Sequence, residues 1–341
     1  MKDITIVAVE GSVASTFTGP MDVFSLSGLL FNGIVGISPS PHFSVRLVTK
    51  DGKPVECLNG ITLSPHCSMH DITRTDLVMV SAISGDISRA LDANREVIPW
   101  LKAMHENGAW VASVCTGAFM LAETGLLDGK TATTHWGFVR YFMRRYPRIR
   151  CRADALITDE GDLFCSGGSN SCIDLSLYLV EKLCGRAAAI QCAKALVYDL
   201  GRSTQAPYAT LRAKRTHRDS RIHDAQNWIE DHFAQNLSIT LLARKANMSE
   251  RTFQRRFKDA TGDTPLTFVQ KVRIEAARDL LETGDKSFEE VTYLVGYEDP
   301  GSFRKIFLRQ TGLLPKDYQR LYRKEGDMNE GKGGETLAPL P

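Results

Sequence analysis

Several things are missing from this chain of 341 residues. None of its eight cysteines sits in a Cys-x-x-Cys pair, so spacing gives no reason to expect a zinc or iron–sulfur site. A chain of this length buries cores without disulfide staples, so Cys57, Cys67, Cys115, Cys151, Cys165, Cys172, Cys184 and Cys192 are expected to be free thiols in a reducing, cytoplasmic compartment. No run approaches the roughly 20 apolar residues of a membrane span, which argues against a membrane partner. The apolar residues 4–9 are too few for a signal-peptide core and have no basic lead-in. They suit a first buried strand. No motif calls for a metal or an organic cofactor.

A strong net charge is also lacking, since 42 Lys and Arg face 40 Asp and Glu. The balance hides an asymmetry. Between Arg212 and Lys324 there are 22 basic residues against 16 acidic ones, whereas the chain before Arg212 is close to neutral. A basic half joined to a neutral half suggests a polyanion-binding module attached to something else.

The first two hundred residues alternate between strand and helix patterns. Residues 4–9, 77–80 and 110–114 are short apolar runs, and 43–48 alternates like a more peripheral strand. A helix is expected over 95–107 and another after Cys115 as far as Leu127. Asp159-Glu160-Gly161 turns a hairpin between 156–158 and 163–165, and 176–183 looks helical. Strands alternating with helices predict an α/β domain with a mostly parallel sheet covered on both faces. Residues 201–221 lose this periodicity and are expected to contain a linker. The expected organisation is therefore residues 1–205, a linker over 206–221, an all-α domain over 222–324 and a disordered tail over 325–341. In the third segment Ile222, Ala225, Ile229 and Phe233 form one helical stripe, and Val269, Val272, Ala276 and Leu280 mark a long central helix.

Two stretches of that segment have helix-turn-helix character. In the first, Leu242 and Ala246 face inward, Asn247-Met248 makes the turn, and Ser249 caps a helix that buries Phe253 and Phe257. Arg251, Thr252, Gln254, Arg255 and Lys258 are then left for base edges and phosphates. In the second, Val291 and Val295 face inward, Gly296 turns, and Phe303 and Phe307 repeat the aromatic spacing fifty residues on. Gly301, Ser302, Arg304 and Lys305 occupy the corresponding outward positions. A helical bundle with basic solvent faces would share the composition but would not repeat the motif. The series Ala243-x-x-x-Asn247-Met248-Ser249-x-Arg251-x-Phe253-x-Arg255-x-Phe257 and Val295-Gly296-Tyr297-x-Asp299-x-x-x-Phe303-x-x-x-Phe307, closed by Gly312 and Pro315, resembles the AraC family of transcriptional activators. The resemblance implies a double helix-turn-helix domain entering successive major grooves on one face of the duplex, with RNA polymerase as a further partner and a homodimer as the assembly.

The sharpest feature of the first half is Ala112-Ser113-Val114-Cys115-Thr116-Gly117. A buried strand delivers a cysteine to a tight turn before a helix, the geometry of a nucleophile elbow. A buried thiol in a tight turn would look the same. Cys115-Thr116-Gly117, Leu126-Leu127-Asp128-Gly129-Lys130 and Thr134-His135-Trp136 together resemble the ThiJ/PfpI domain of the class I glutamine amidotransferase-like superfamily, in the version fused to AraC-type domains and called GlxA-type. Enzymes of that superfamily place a carboxylate after the first strand, where this chain has Thr16, and protease-like members place a histidine after the cysteine, where it has Thr116. These departures favour a small-molecule site over catalysis. Its expected lining is Thr16, Ser84, Gly85, Cys115, Thr116, Gly117, His135, Trp136, Gly167 and Gly168. Amides at Thr116 and Gly117 suit a carboxylate, and Trp136 either stacks on a cation or packs in the core. The resemblance implies an α/β flavodoxin-like sandwich with the cysteine at the carboxyl edge of the sheet, and a nitrogen-containing effector. The expected function is a ligand-modulated, sequence-specific DNA-binding regulator that is not an enzyme. The alternative is a bifunctional protein with a cysteine-dependent amidase or deglycase domain.

Overall fold

The computed structural model describes residues 1–210, 217–284 and 286–323. The expected tail over 325–341 lies outside them, as does part of the expected linker. The chain divides into two compact units, one ending at Tyr208 and the other beginning at Ala209. No helix among the described residues is long and apolar enough to cross a membrane.

Seven strands form the sheet of the first unit: β1 (Lys2–Val7), β2 (Phe43–Thr49), β3 (Cys67–Ser68), β4 (Leu77–Val80), β5 (Trp110–Val114), β6 (Ile157–Asp159) and β7 (Leu163–Ser166). Their order is β6-β7-β5-β4-β1-β2-β3, and every pairing is parallel except the β6–β7 hairpin. The continuous apolar runs are explained by burial on both faces. Alternate residues feed separate cores: Val7, Val78, Val80, Val111 and Leu163 on one side, Ile6, Leu77, Met79, Ala112, Val114 and Phe164 on the other.

The helices that matter for the site are α1 (Ser15–Leu26), α2 (Val97–Glu106), α3 (Ala118–Glu123), α4 (Ser171–Cys184) and α5 (Arg186–Ala195). Helix α3 stops four residues short of the expected Leu127. The Thr124 hydroxyl bonds back to Leu121 O at 2.5 Å, and Gly125 turns the chain at φ +78°. The expected linker also begins too early. Residues 201–208 pack on the first unit: Gln205 is 2% exposed, and Ala206 and Pro207 are buried. A lack of long helical period there reflects a strap that pairs with residues 154–156 and ends in a single 3-10 turn over Ala206–Tyr208.

The second unit is helical: α6 (Ser220–His232), α7 (Ile239–Lys245), α8 (Glu250–Thr261), α9 (Pro265–Thr283), α10 (Phe288–Leu294), α11 (Pro300–Thr311) and α12 (Pro315–Tyr322). Helix α6 starts at Ser220, inside the expected linker, because Asp219 caps it through Ile222 N. Helix α9 belongs to two cores. Phe268, Val269 and Val272 join Phe253 and Phe257, while Ile274, Ala277 and Leu281 join Phe303 and Phe307.

Candidate functional site

The first site is built on the end of β5. Cys115 follows Val114 with φ +57°, a left-handed conformation that non-glycine residues rarely hold and that marks strained functional turns. Gly117 makes the turn sterically feasible, since a Cβ there would lie 2.6 Å from Ser81 O. The Cys115 carbonyl accepts the Thr134 hydroxyl at 2.9 Å. Its thiol is 4% exposed, and the Ser169 hydroxyl donates to Sγ at 3.7 Å. Burial pushes the thiol above its usual range, against the opposing effect of Ser169 and Thr116. A thiol raised in this way is protonated near neutrality and weakly nucleophilic.

The residues expected around it hold hydrogen bonds of their own. Thr16 is fully buried on α1; its Oγ1 donates to Val13 O at 2.7 Å and accepts from Ala82 N at 3.1 Å. Thr116 Oγ1 is bound to Ile83 O. His135 accepts the Gly137 N–H on Nδ1 at 3.0 Å, which leaves the proton of the neutral ring on Nε2. Burial lowers the His135 pKa. In that tautomer Nε2–H is a donor, and the Nδ1 lone pair is engaged by the Gly137 amide. Among the described residues no group of His, Cys, Asp and Glu could hold a metal.

The remaining expected lining falls into two groups. Trp136 stands beside His135, with ring centroids 5.2 Å apart, and a Cβ on Gly168 would lie 4.0 Å from the His135 ring. Gly167 lies against Gln205, whose amide also reaches the backbone of Thr134 and Trp136. Ser84 instead turns its hydroxyl to Gly11 O, and Gly85 is exposed at φ +73°. The hydrogen bond given for the thiol is with Ser169 and involves neither of them. Ser169 and Gln205 escaped sequence reasoning. Ser169 follows the two glycines already suspected, whereas nothing local marks Gln205, which comes from about seventy residues beyond Thr134.

The second site is the exposed face of α8 and α11. Ser249 caps α8, accepting from Thr252 N and donating to Thr252 Oγ1. Arg251, Gln254, Arg255 and Lys258 are exposed while Phe253 and Phe257 are buried. Thr252 is half-buried. On α11, Gly301, Ser302, Arg304 and Lys305 are exposed over Phe303 and Phe307. The Gly301 and Ser302 amides serve the Asp299 carboxylate, the cap of that helix, at 3.3 and 2.7 Å. Arg304 lies 3.8 Å from Glu289 and over the Phe288 ring. The two units end alike. Thr261 and Thr311 bond Phe257 O and Phe307 O, Gly262 and Gly312 close each helix with positive φ, and Pro265 and Pro315 start the next. Between two of the outward basic residues, Arg256 points elsewhere and forks onto Asp219 at 2.8–3.0 Å.

Comparison with known proteins gives a family match in each of the two units. The family model described as DJ-1/PfpI family matches residues 2–182, and one described as a helix-turn-helix domain matches residues 242–321. The chain is 28% identical to the HTH-type transcriptional regulator CdhR of Pseudomonas aeruginosa, over 79% of this chain and 80% of that protein. It is 26% identical to the HTH-type transcriptional regulator GlxA of Rhizobium meliloti, over 64% and 68% of the two chains. It is also 30% identical to an isonitrile hydratase of Pseudomonas putida, over 57% of this chain and 80% of that enzyme.

Proposed function

The chain belongs to the DJ-1/PfpI family and carries an AraC-type helix-turn-helix domain behind it, and from that premise we propose that it is a cytoplasmic, sequence-specific transcription regulator, an activator, whose DNA affinity is set by a small nitrogen-containing metabolite. The observation that carries this reading is the repeated helix-turn-helix face, with Arg251, Gln254, Arg255 and Lys258 outward on one unit and Arg304 and Lys305 outward on the other. Each α8- or α11-type helix supplies the side chains that read a major groove, and two such units span two successive turns. Homodimerisation and contact with RNA polymerase complete the proposal.

The metabolite would occupy the neighbourhood of Cys115, His135, Trp136, Gly168 and Ser169. Its effect on DNA affinity requires that it bind one conformation better than another. The isonitrile hydratase similarity supports a second reading, in which the thiol is a nucleophile. The raised thiol, the threonine at position 16 and the occupied His135 Nδ1 argue against it. The test is a thermal-shift screen of the full chain against amino acids and quaternary amines, run beside turnover assays on amide, ester and isonitrile substrates. A ligand selective for the folded state raises apparent stability. A stabilising nitrogenous ligand, with turnover no greater than in Cys115→Ala, supports the sensor. Turnover that disappears in Cys115→Ala supports the enzyme.

A further inference from the structure

The segment over residues 201–208, where the chain leaves the first unit, is bound to that unit by an unusual set of bonds. Arg202 pairs with the buried Asp174 at 2.5 Å, and Tyr198 donates to the same carboxylate. Thr204 pairs with Ala155 as an antiparallel bridge, with Leu156 N donating to Ser203 O and Gln205 N to Asp154 O. The side chain of Gln205 then turns inward. Its Nε2 donates to Thr134 O at 2.8 Å, and its Oε1 accepts from Trp136 N at 3.1 Å. Further donation reaches Thr133 Oγ1 and Ala155 O.

This amide presents one donor and one acceptor to the carbonyl of residue 134 and the N–H of residue 136. A neighbouring β-strand offers a residue pair the same complement, so Gln205 acts as a one-residue strand that clasps the backbone on both sides of His135. The fit is tight. A Cβ on Gly167 would lie 2.6 Å from the amide, so only glycine lets Gln205 lie flat in this position. Thr134, at one end of the clasp, also holds the Cys115 carbonyl. Thiol turn, histidine and exit segment are therefore one hydrogen-bonded assembly.

We propose that Gln205 is a positioning residue of the effector site, and that a ligand displacing His135 or Trp136 opens its clasp and frees the segment leading to the helix-turn-helix domain. The proposal rests on the sensor reading for its ligand, but the coupling itself is a property of this chain. Because the amide is buried, its bonds break together: a half-made pair would strand a polar group away from water. That gives two discrete states rather than a graded one, as a switch requires.

The test uses the full chain and replaces the unknown ligand with bulk. Gly168→Leu extends a side chain toward His135, whose ring lies 4.0 Å from the position of the new Cβ. Amide exchange is followed over residues 202–206 and 133–137, with the Trp136 indole N–H resonance, resolved from those of the other three tryptophans, reporting that the site is filled. Gly168→Leu should speed exchange at 202–206 by roughly tenfold or more, as local opening does. In Gln205→Ala that segment should already be fast, and adding Gly168→Leu should change it no further. Gln205→Glu keeps the acceptor for Trp136 N but loses the donor and sets a carboxylate against the Thr134 and Ala155 carbonyls, so by the same all-or-none rule it should exchange as fast as Gln205→Ala. If Gln205→Ala loosens the whole sheet, Gln205→Glu combined with Gly168→Leu carries the same comparison. A shifted Trp136 indole resonance with unchanged exchange at 202–206 would overturn the proposal, as would effects of the two substitutions that simply add. No metabolite enters the experiment, so a thermal-shift screen without a hit would defeat the sensor reading while leaving this result intact.

Discussion

At the scale of single residues, the two sites differ in how they use their chemistry. Cys115 has the backbone of a nucleophile, at φ +57°, but the environment of a core thiol. Cys115→Ser is nearly isosteric and retains a partner for Ser169, so fold and DNA binding should persist. Far-UV circular dichroism and a gel-shift assay check this; loss of DNA binding in a folded variant would give the thiol a role beyond the pocket. Arg255 is exposed with no ion pair among the described residues, whereas its neighbour Arg256 is committed to Asp219. Arg255→Ala should therefore cost specific binding about 1–3 kcal/mol, the range of a good bidentate base contact, and cost non-specific binding less. Competition between a selected duplex and random DNA measures both. Equal losses would make Arg255 a phosphate contact. Lys305→Ala is the parallel test on α11.

At the scale of elements, the turns and caps decide whether the reading helices are presented correctly. Gly296 has φ +84°, and a Cβ would fall 2.4 Å from Ala234 O. Gly296→Ala meets both backbone strain and a clash with a main-chain atom. It should destabilise the second helix-turn-helix unit by more than about 1 kcal/mol. Exchange at α10 and α11 should rise while α8 is spared, and uniform exchange would contradict the assignment. The Asp219–Arg256 fork carries a pH dependence. Burial alone would raise the Asp219 carboxyl, but the Arg256 guanidinium and the Ile222 amide hold it below the usual carboxylate range. A carboxyl depressed in the folded state stabilises it above the unfolded pKa, and that contribution is lost as pH falls through the folded value. The attachment of α6 to α8 should thus be constant from neutrality down to about pH 4, the ordinary carboxylate pKa, and weaken below it. Asp219→Asn should flatten that acid limb of the exchange at α6. Among the elements themselves, strands were legible because burial on both faces leaves continuous apolar runs such as 77–80. Helix α1 was not, since Gly19 and Pro20 lie inside it. Tertiary packing overrides them: a Cβ on Gly19 would lie 2.8 Å from Ile173 on α4, so the glycine permits a close helix contact that no local pattern announces.

At the scale of the whole molecule, the chain joins a unit whose seven-stranded sheet is covered on both faces to a unit with two small aromatic cores among the described residues. The helix-turn-helix repeat was legible because it is local: caps, turns and the Phe253/Phe257 and Phe303/Phe307 spacing all lie within short stretches. The surroundings of Cys115 were legible only in part. The elbow is local, but Ser169 and Gln205 reach it from distant parts of the chain, and hydrogen bonds over such separations leave no period to read. The compact units should make the chain between Ala209 and Arg218 the first region cut in limited proteolysis. Early cleavage within 201–208 would instead deny that this segment is held as a strap. The central claim is that the α8 and α11 faces read DNA sequence. It is tested most directly by selecting duplexes for the full chain from a random pool and measuring affinity by fluorescence anisotropy. Wild-type protein should bind the selected duplex at least ~10³-fold more tightly than random DNA at physiological salt, with two contact regions about 34 Å apart on one face. That preference should collapse when Arg255→Ala and Lys305→Ala are combined. Equal affinity for selected and random DNA, unchanged by those substitutions, would contradict it.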